Sequence, residues 1–67
     1  MIIERDVWRA AKLLIDQHGV EAPIHAALRV DEMLDAGDLD GRAVWKAILE
    51  AIIELIVPRQ RLVDRLG

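Results

Sequence analysis

Cysteine is absent from this 67-residue chain, and so are serine, threonine, asparagine, tyrosine and phenylalanine. Without cysteine there can be no disulfide and no thiolate metal site, and a cysteine-free chain fits a reducing compartment. The missing Ser, Thr, Cys and Tyr remove the usual nucleophiles, and nothing in the pattern puts Lys12 or Lys46 in the apolar pocket that activates an amine. No glycine-rich phosphate loop follows a strand, and carboxylates without a cleft are weak evidence for acid–base chemistry. No enzyme activity, cofactor or small-molecule substrate is therefore expected. Long hydrophobic runs are also lacking. The most apolar stretch, residues 47–57, is interrupted by Glu50 and Glu54 and falls far short of the roughly 20 residues of a membrane span. Met1-Ile2-Ile3 meets Glu4, Arg5 and Asp6 at once, which leaves no room for the apolar region of a signal peptide. The expectation is a cytoplasmic protein without a membrane segment.

What remains is aliphatic and charged: 54% hydrophobic residues and 31% charged, with a net charge of −3. So apolar a chain can fold. Its dominant residues, Ala, Leu, Ile, Glu, Arg and Asp, favour helix, and two of the aromatic types that enrich strands are missing. The length allows a single domain, which buries only about 60% of its unfolded surface and is marginal alone. Chains this small add disulfides, a metal, a partner subunit or very good helix packing, and here the last two remain.

Apolar periodicity predicts an all-α fold of three helices in a hairpin or bundle. The first spans about 4–18, with Val7, Trp8, Ala11, Leu14 and Ile15 within an arc of roughly 120°. Arg5, Arg9, Lys12 and Asp16 lie opposite, and Gly19 follows as a stop. The second spans about 23–36. Pro23 opens it favourably, Ala26, Ala27, Val30, Met33 and Leu34 share a face, and Gly37 ends it. The third spans about 41–57, capped by Asp40 or Asp38, with Val44, Trp45, Ile48, Ala51, Ile52, Leu55 and Ile56 in its stripe and Leu49 and Ile53 widening it. Pro58 cannot continue a helix without losing an internal hydrogen bond, so an end near Val57 is expected. Residues 1–58 then form the domain, and 59–67 form either a short fourth helix, through Leu62, Val63 and Leu66, or a basic frayed terminus. Loops of about four residues make neighbouring helices antiparallel, packed up-down-up around the two tryptophans. Val7-Trp8-Arg9-Ala10 echoes Val44-Trp45-Lys46-Ala47, a match too short for a repeat array.

Several constellations fail as chemistry. His18 and His25 are separated by Gly19 and Pro23, so they do not share a helix face. A metal would need a third ligand such as Asp16 or Glu21, and the plainer expectation is a helix-end His18 and a solvent-facing His25. If Gly41 were the glycine of a calcium loop, the first and last ligand positions would be Ala36 and Ala47, without carboxylates. A helix-turn-helix would need exposed Arg, Asn, Gln or Lys at the start of its recognition helix. The second helix offers Ile24, His25 and Leu28 there. The third offers Arg42 and Lys46 behind two carboxylates that repel phosphates. Nucleic acid is not expected as a partner.

Two surfaces stand out. Ile24 and Leu28 lie opposite the apolar face of the second helix, Leu49 and Ile53 extend the third sideways, and Leu13 lies off the face of the first. A contiguous patch of this kind marks an interaction surface. Ile24, Leu28, Leu49 and Ile53 are the candidate partner interface, for a homodimer or for an adaptor bound to another protein. Asp31, Glu32, Asp35 and Asp38 form a candidate acidic surface that could occupy a basic nucleic-acid-binding site on a partner. As a rule such charge runs are solvated faces.

A resemblance follows from Val7-Trp8-x-Ala10-Ala11, Leu14-Ile15-x-Gln17-His18-Gly19, Ala26-Ala27-x-Arg29, Asp31-Glu32-x-Leu34, Gly37-Asp38 and Trp45-x-x-Ile48. Over about residues 5–55 the chain resembles a family of short bacterial proteins, frequent in alphaproteobacteria, that forms a domain of unknown function. Ile2, where a polar cap is expected, and the tail after Pro58 depart from the pattern. The resemblance implies a small helical intracellular protein and brings no activity, ligand or functional residue with it.

Overall fold

The computed structural model describes the backbone of residues 4–66 and the side chains of residues 4–57. Helix α1 spans Glu4–His18, a single 3₁₀ turn spans Gly19–Glu21, α2 spans Ala22–Asp35 and α3 spans Leu39–Leu66. No strand occurs among the described residues. The all-helical expectation holds, and α1 has the expected bounds. No described helix is long and apolar enough to cross a membrane.

Both glycine stops lie where the chain needs a left-handed residue, with φ of 58° at Gly19 and 72° at Gly37. At Gly37 the hydrogen bonds define the turn. The Gly37 N–H donates to the Leu34 carbonyl at 3.1 Å, and the Asp38 N–H donates to the Met33 carbonyl at 2.9 Å. This pair is the Schellman arrangement, which satisfies the last carbonyls of α2. Asp38 then starts the next helix. Its Oδ1 accepts from the Gly41 N–H at 2.8 Å, and its carbonyl accepts from the Arg42 N–H at 2.9 Å. Asp38, not Asp40, is therefore the N-cap, and α3 begins two residues before the expected start at 41.

The end of α3 also corrects the expectation. The helix does not stop at Val57; it runs through Pro58 to Leu66, so no backbone break separates residues 1–58 from 59–66. Proline in a helix interior removes one donor and crowds the carbonyl four residues back, at a cost of about 3 kcal/mol. The carbonyl concerned belongs to Glu54, an exposed residue, so water can replace the lost donor. The following Arg, Gln and Leu residues are good helix formers. Gly67 lies outside the described residues.

Helix α3 is the spine. At 1.5 Å per residue its 28 residues span about 42 Å, which accounts for the 44 Å long axis of the molecule. The radius of gyration is 13.0 Å, against about 11 Å for an equant domain of this length. Helices α1 and α2 both pack on α3 and touch one another much less.

The core consists of Val7 and Ala11 from α1, Ala22 and Ala26 from α2, and Ile48, Ala51 and Ile52 from α3. Four of these seven are alanines, which bring the backbones close but bury little side chain. Ile52 is the one large side chain that is fully buried among the described residues. Ala22, expected in a loop, is a core residue because it lies one turn before Ala26. Leu34, expected on the core face of α2, is 52% exposed. Trp8 and Trp45 flank the core half-buried and do not fill its centre.

Candidate interaction surfaces

The apolar candidates separate on two helices. Ile24 and Leu28 are one turn apart on α2 and 61% and 54% exposed. On α3, Ile53 is exposed, while Leu49 is half-buried and leans on the core. Leu28 also lines a groove of about 330 Å³ with Leu14, His18, His25 and Trp45. The four candidates therefore form two short stripes; Leu49 is shared between core and surface. Larger exposures occur where periodicity drew no attention. Val20, in the 3₁₀ turn, is 86% exposed and Leu39, in the first turn of α3, is 69% exposed. Val20 lines a second groove, of about 490 Å³, with Ile15, Leu55 and Ile56 and with Lys12 and Asp16. The signal for both was their position: each is an aliphatic at a helix junction, where neither neighbouring stripe can claim it.

The acidic candidates Asp31, Glu32, Asp35 and Asp38 are all exposed, but they are not equivalent. Glu32 receives a hydrogen bond and an ion pair from Arg29 at 3.1 Å. Both side chains are more than half exposed, so the pair contributes little to stability. Asp38 is engaged as the cap of α3. Asp31 and Asp35 accept no hydrogen bond among the described residues.

The histidines depart from the sequence expectation. The 3₁₀ turn folds the chain back so that the rings of His18 and His25 stack, with centroids 3.7 Å apart and planes inclined by 22°. Both residues are half-buried, so His25 does not simply face solvent. Contact between positions separated by a glycine and a proline depends on that turn and has no periodic signature. The stack is a poor metal clip: a metal sits in the ring plane at about 2.0–2.1 Å from nitrogen, and two nearly parallel rings cannot both aim in-plane lone pairs at one ion. Beside the stack, the Arg29 guanidinium lies 5.8 Å from the centroid of the Trp45 ring, within cation–π range. Arg29 thus ties Glu32 on its own helix to an indole on α3.

Comparison with family models, with curated proteins and with solved structures returned no match to this chain.

Proposed function

We propose that this chain is a non-enzymatic protein–protein interaction module, acting as a homodimer or as a small adaptor. The observation that carries the reading is the imbalance between core and surface. Among the described residues one large side chain is fully buried, while Leu13, Val20, Ile24, Leu28, Leu34, Leu39, Ile53 and Leu55 are exposed. Full burial of one such side chain stabilises by about 1.5–3 kcal/mol. A partner covering three or four of them would add a contribution comparable with the few kcal/mol that a core of this size supplies, about 3–5 kcal/mol.

The helices are taken to run up-down-up, with α1 and α3 both antiparallel to α2. The short Ala36–Asp38 turn supports this for α2 and α3. For α1, Val7 and Trp8 share a groove with Ala47, Glu50, Ala51 and Glu54, while Ile15 shares one with Leu55 and Ile56. The cysteine-free composition supports a cytoplasmic setting. The resemblance to the alphaproteobacterial family rests on the quoted residues alone. No specific observation favours the acidic regulator or DNA binding: Glu32 is paired, Asp38 is a cap, and α3 opens on carboxylates.

Size exclusion with light scattering tests the reading. At micromolar concentration the protein should exceed monomer mass, or, as a monomer, should bind an apolar-surface dye. A monomer that binds no dye refutes it.

A further inference from the structure

We propose that the stacked histidines form a pH-sensitive latch between α1 and α2, closed near neutral pH and opened when both rings are protonated. The latch goes beyond the interaction-module reading and does not depend on it. Helices α1 and α2 touch one another much less than either touches α3, so a contact that joins them directly carries weight. The rings of His18 and His25 lie with centroids 3.7 Å apart and planes inclined by 22°. Neutral imidazoles stack at that distance as other flat rings do. Two imidazolium rings cannot, because both residues are half-buried and their positive charges would stand face to face with little water between them. The helix ends set the order of charging. His18 is the last residue of α1, where a positive charge faces unpaired carbonyls. His25 lies in the first turn of α2, where it faces unpaired N–H groups. A single proton is therefore held on His18 with the stack intact, and the second opens it.

No neighbouring charge is placed to cancel the second proton. On α2, Arg29 stands one turn after His25 and lines the same groove, adding a positive group. Glu32 lines it too, but its carboxylate is paired with Arg29 at 3.1 Å. From α1 the groove receives the uncharged Leu14 and Gln17, and from α3 it receives Trp45. Asp16, two residues before His18, lines the other groove with Lys12. Glu21, in the turn between the rings, is exposed, and among the described residues no carboxylate forms an ion pair with either histidine. Opening the stack frees the 3₁₀ turn and uncovers more of Leu14 and Trp45, which are half-buried in the same groove. Proton counts set the direction. Unfolded, both histidines take a proton through the ordinary histidine range near about 6.5; folded and latched, the pair takes one. The unfolded state binds the extra proton, so the stabilisation from the latch is whole above that range and is lost as pH falls through it.

Urea unfolding of the full chain at about pH 7.5 and about pH 5.5 tests the latch, since carboxylates of ordinary acidity, about 3.9–4.3, stay ionised at both. One refused proton lowers the folding equilibrium constant about tenfold between the two conditions. The parent should lose that factor. His18→Gln and His25→Gln, each with one ring left, should lose less than about twofold, and so should the chain carrying both changes. A parent that loses no more than its variants overturns the proposal. Proton NMR on the unaltered chain gives a second reading that needs no variant to fold. Cross-relaxation between the two rings should be present at the higher pH and absent at the lower, while circular dichroism shows the chain still helical. Absence at the higher pH means that the rings do not stack. Persistence at the lower pH means that protonation does not part them, and either result overturns the latch.

Discussion

Replacing Asp38 by alanine removes the one side-chain hydrogen bond that caps α3, the 2.8 Å bond from the Gly41 N–H. Loss of an N-cap of this kind costs about 1 kcal/mol, within a range of about 0.5–2. For a domain of this size that lowers the unfolding midpoint by about 4–8 °C. Asp38→Asn keeps an acceptor at the same position and should cost only a few tenths of that. The partner residue makes the test sharper. A Cβ added at Gly41 would lie 2.6 Å from Asp38 Oδ2 and 2.8 Å from Met33 Sδ. Met33 is flexible and can yield, but the carboxylate can move only by giving up the cap. Gly→Ala inside a helix ordinarily stabilises by about 0.8–1 kcal/mol. In the presence of Asp38 that gain should vanish or reverse; in the Asp38→Ala background it should return. The two changes should therefore couple by about 1 kcal/mol in a double-mutant cycle. Far-ultraviolet circular dichroism during thermal unfolding, at one fixed protein concentration, measures all four corners. If Gly41→Ala stabilises both backgrounds equally, the carboxylate does not sit where the cap requires and the account of this turn is wrong.

Other perturbations test other parts of the fold. Gly37→Ala meets no steric obstacle but must hold φ near 72°, so it should cost about 1–2 kcal/mol in chemical denaturation; a neutral effect would mean that the turn has another backbone. Ile52→Ala removes the largest fully buried side chain among the described residues and should cost about 2–5 kcal/mol, enough to leave much of the chain unfolded at 37 °C by circular dichroism. Full retention of structure would show that the core lies elsewhere. Pro58→Ala restores a donor to the Glu54 carbonyl and should stabilise α3 by up to about 3 kcal/mol, seen as slower amide exchange across residues 55–62. Unchanged exchange would mean that the helix does not run through position 58.

The features that were legible in sequence are those decided by one residue's backbone. Gly19 and Gly37 end their helices because only a left-handed residue closes those turns, and any reader of the sequence can place them. The start of α3 was half legible. Once Gly37 occupies the position after the helix end, Asp38 is the next residue and must both accept the turn and open the new helix, which leaves Asp40 inside the first turn. Pro58 misled because its penalty is local, whereas continuation of the helix depends on the residues around it. The helical spacing of Leu62, Val63 and Leu66 already carried that signal, and the penalty falls on a carbonyl that water can reach. Ala22 and Leu34 exchanged roles because the buried arc of α2 is displaced from the apolar one: at 100° per residue Ala22 lies about 40° from Ala26 on one side and Leu34 about 80° on the other.

The histidine stack and the exposed junction residues were illegible for a further reason. A 3₁₀ turn of three residues sets the angle between α1 and α2, and small changes in that angle decide whether His18 meets His25 or water. The same turn leaves Val20 outside both stripes. Sequence periodicity describes each helix against an average neighbour, and this chain has too few helices to supply one on every side. Its alanine-rich core holds the three helices close while leaving aliphatics along α2 and α3 without a neighbour of their own. These exposed aliphatics are contacts that the single chain leaves unmade. For that reason these residues are the place where this fold should next be perturbed.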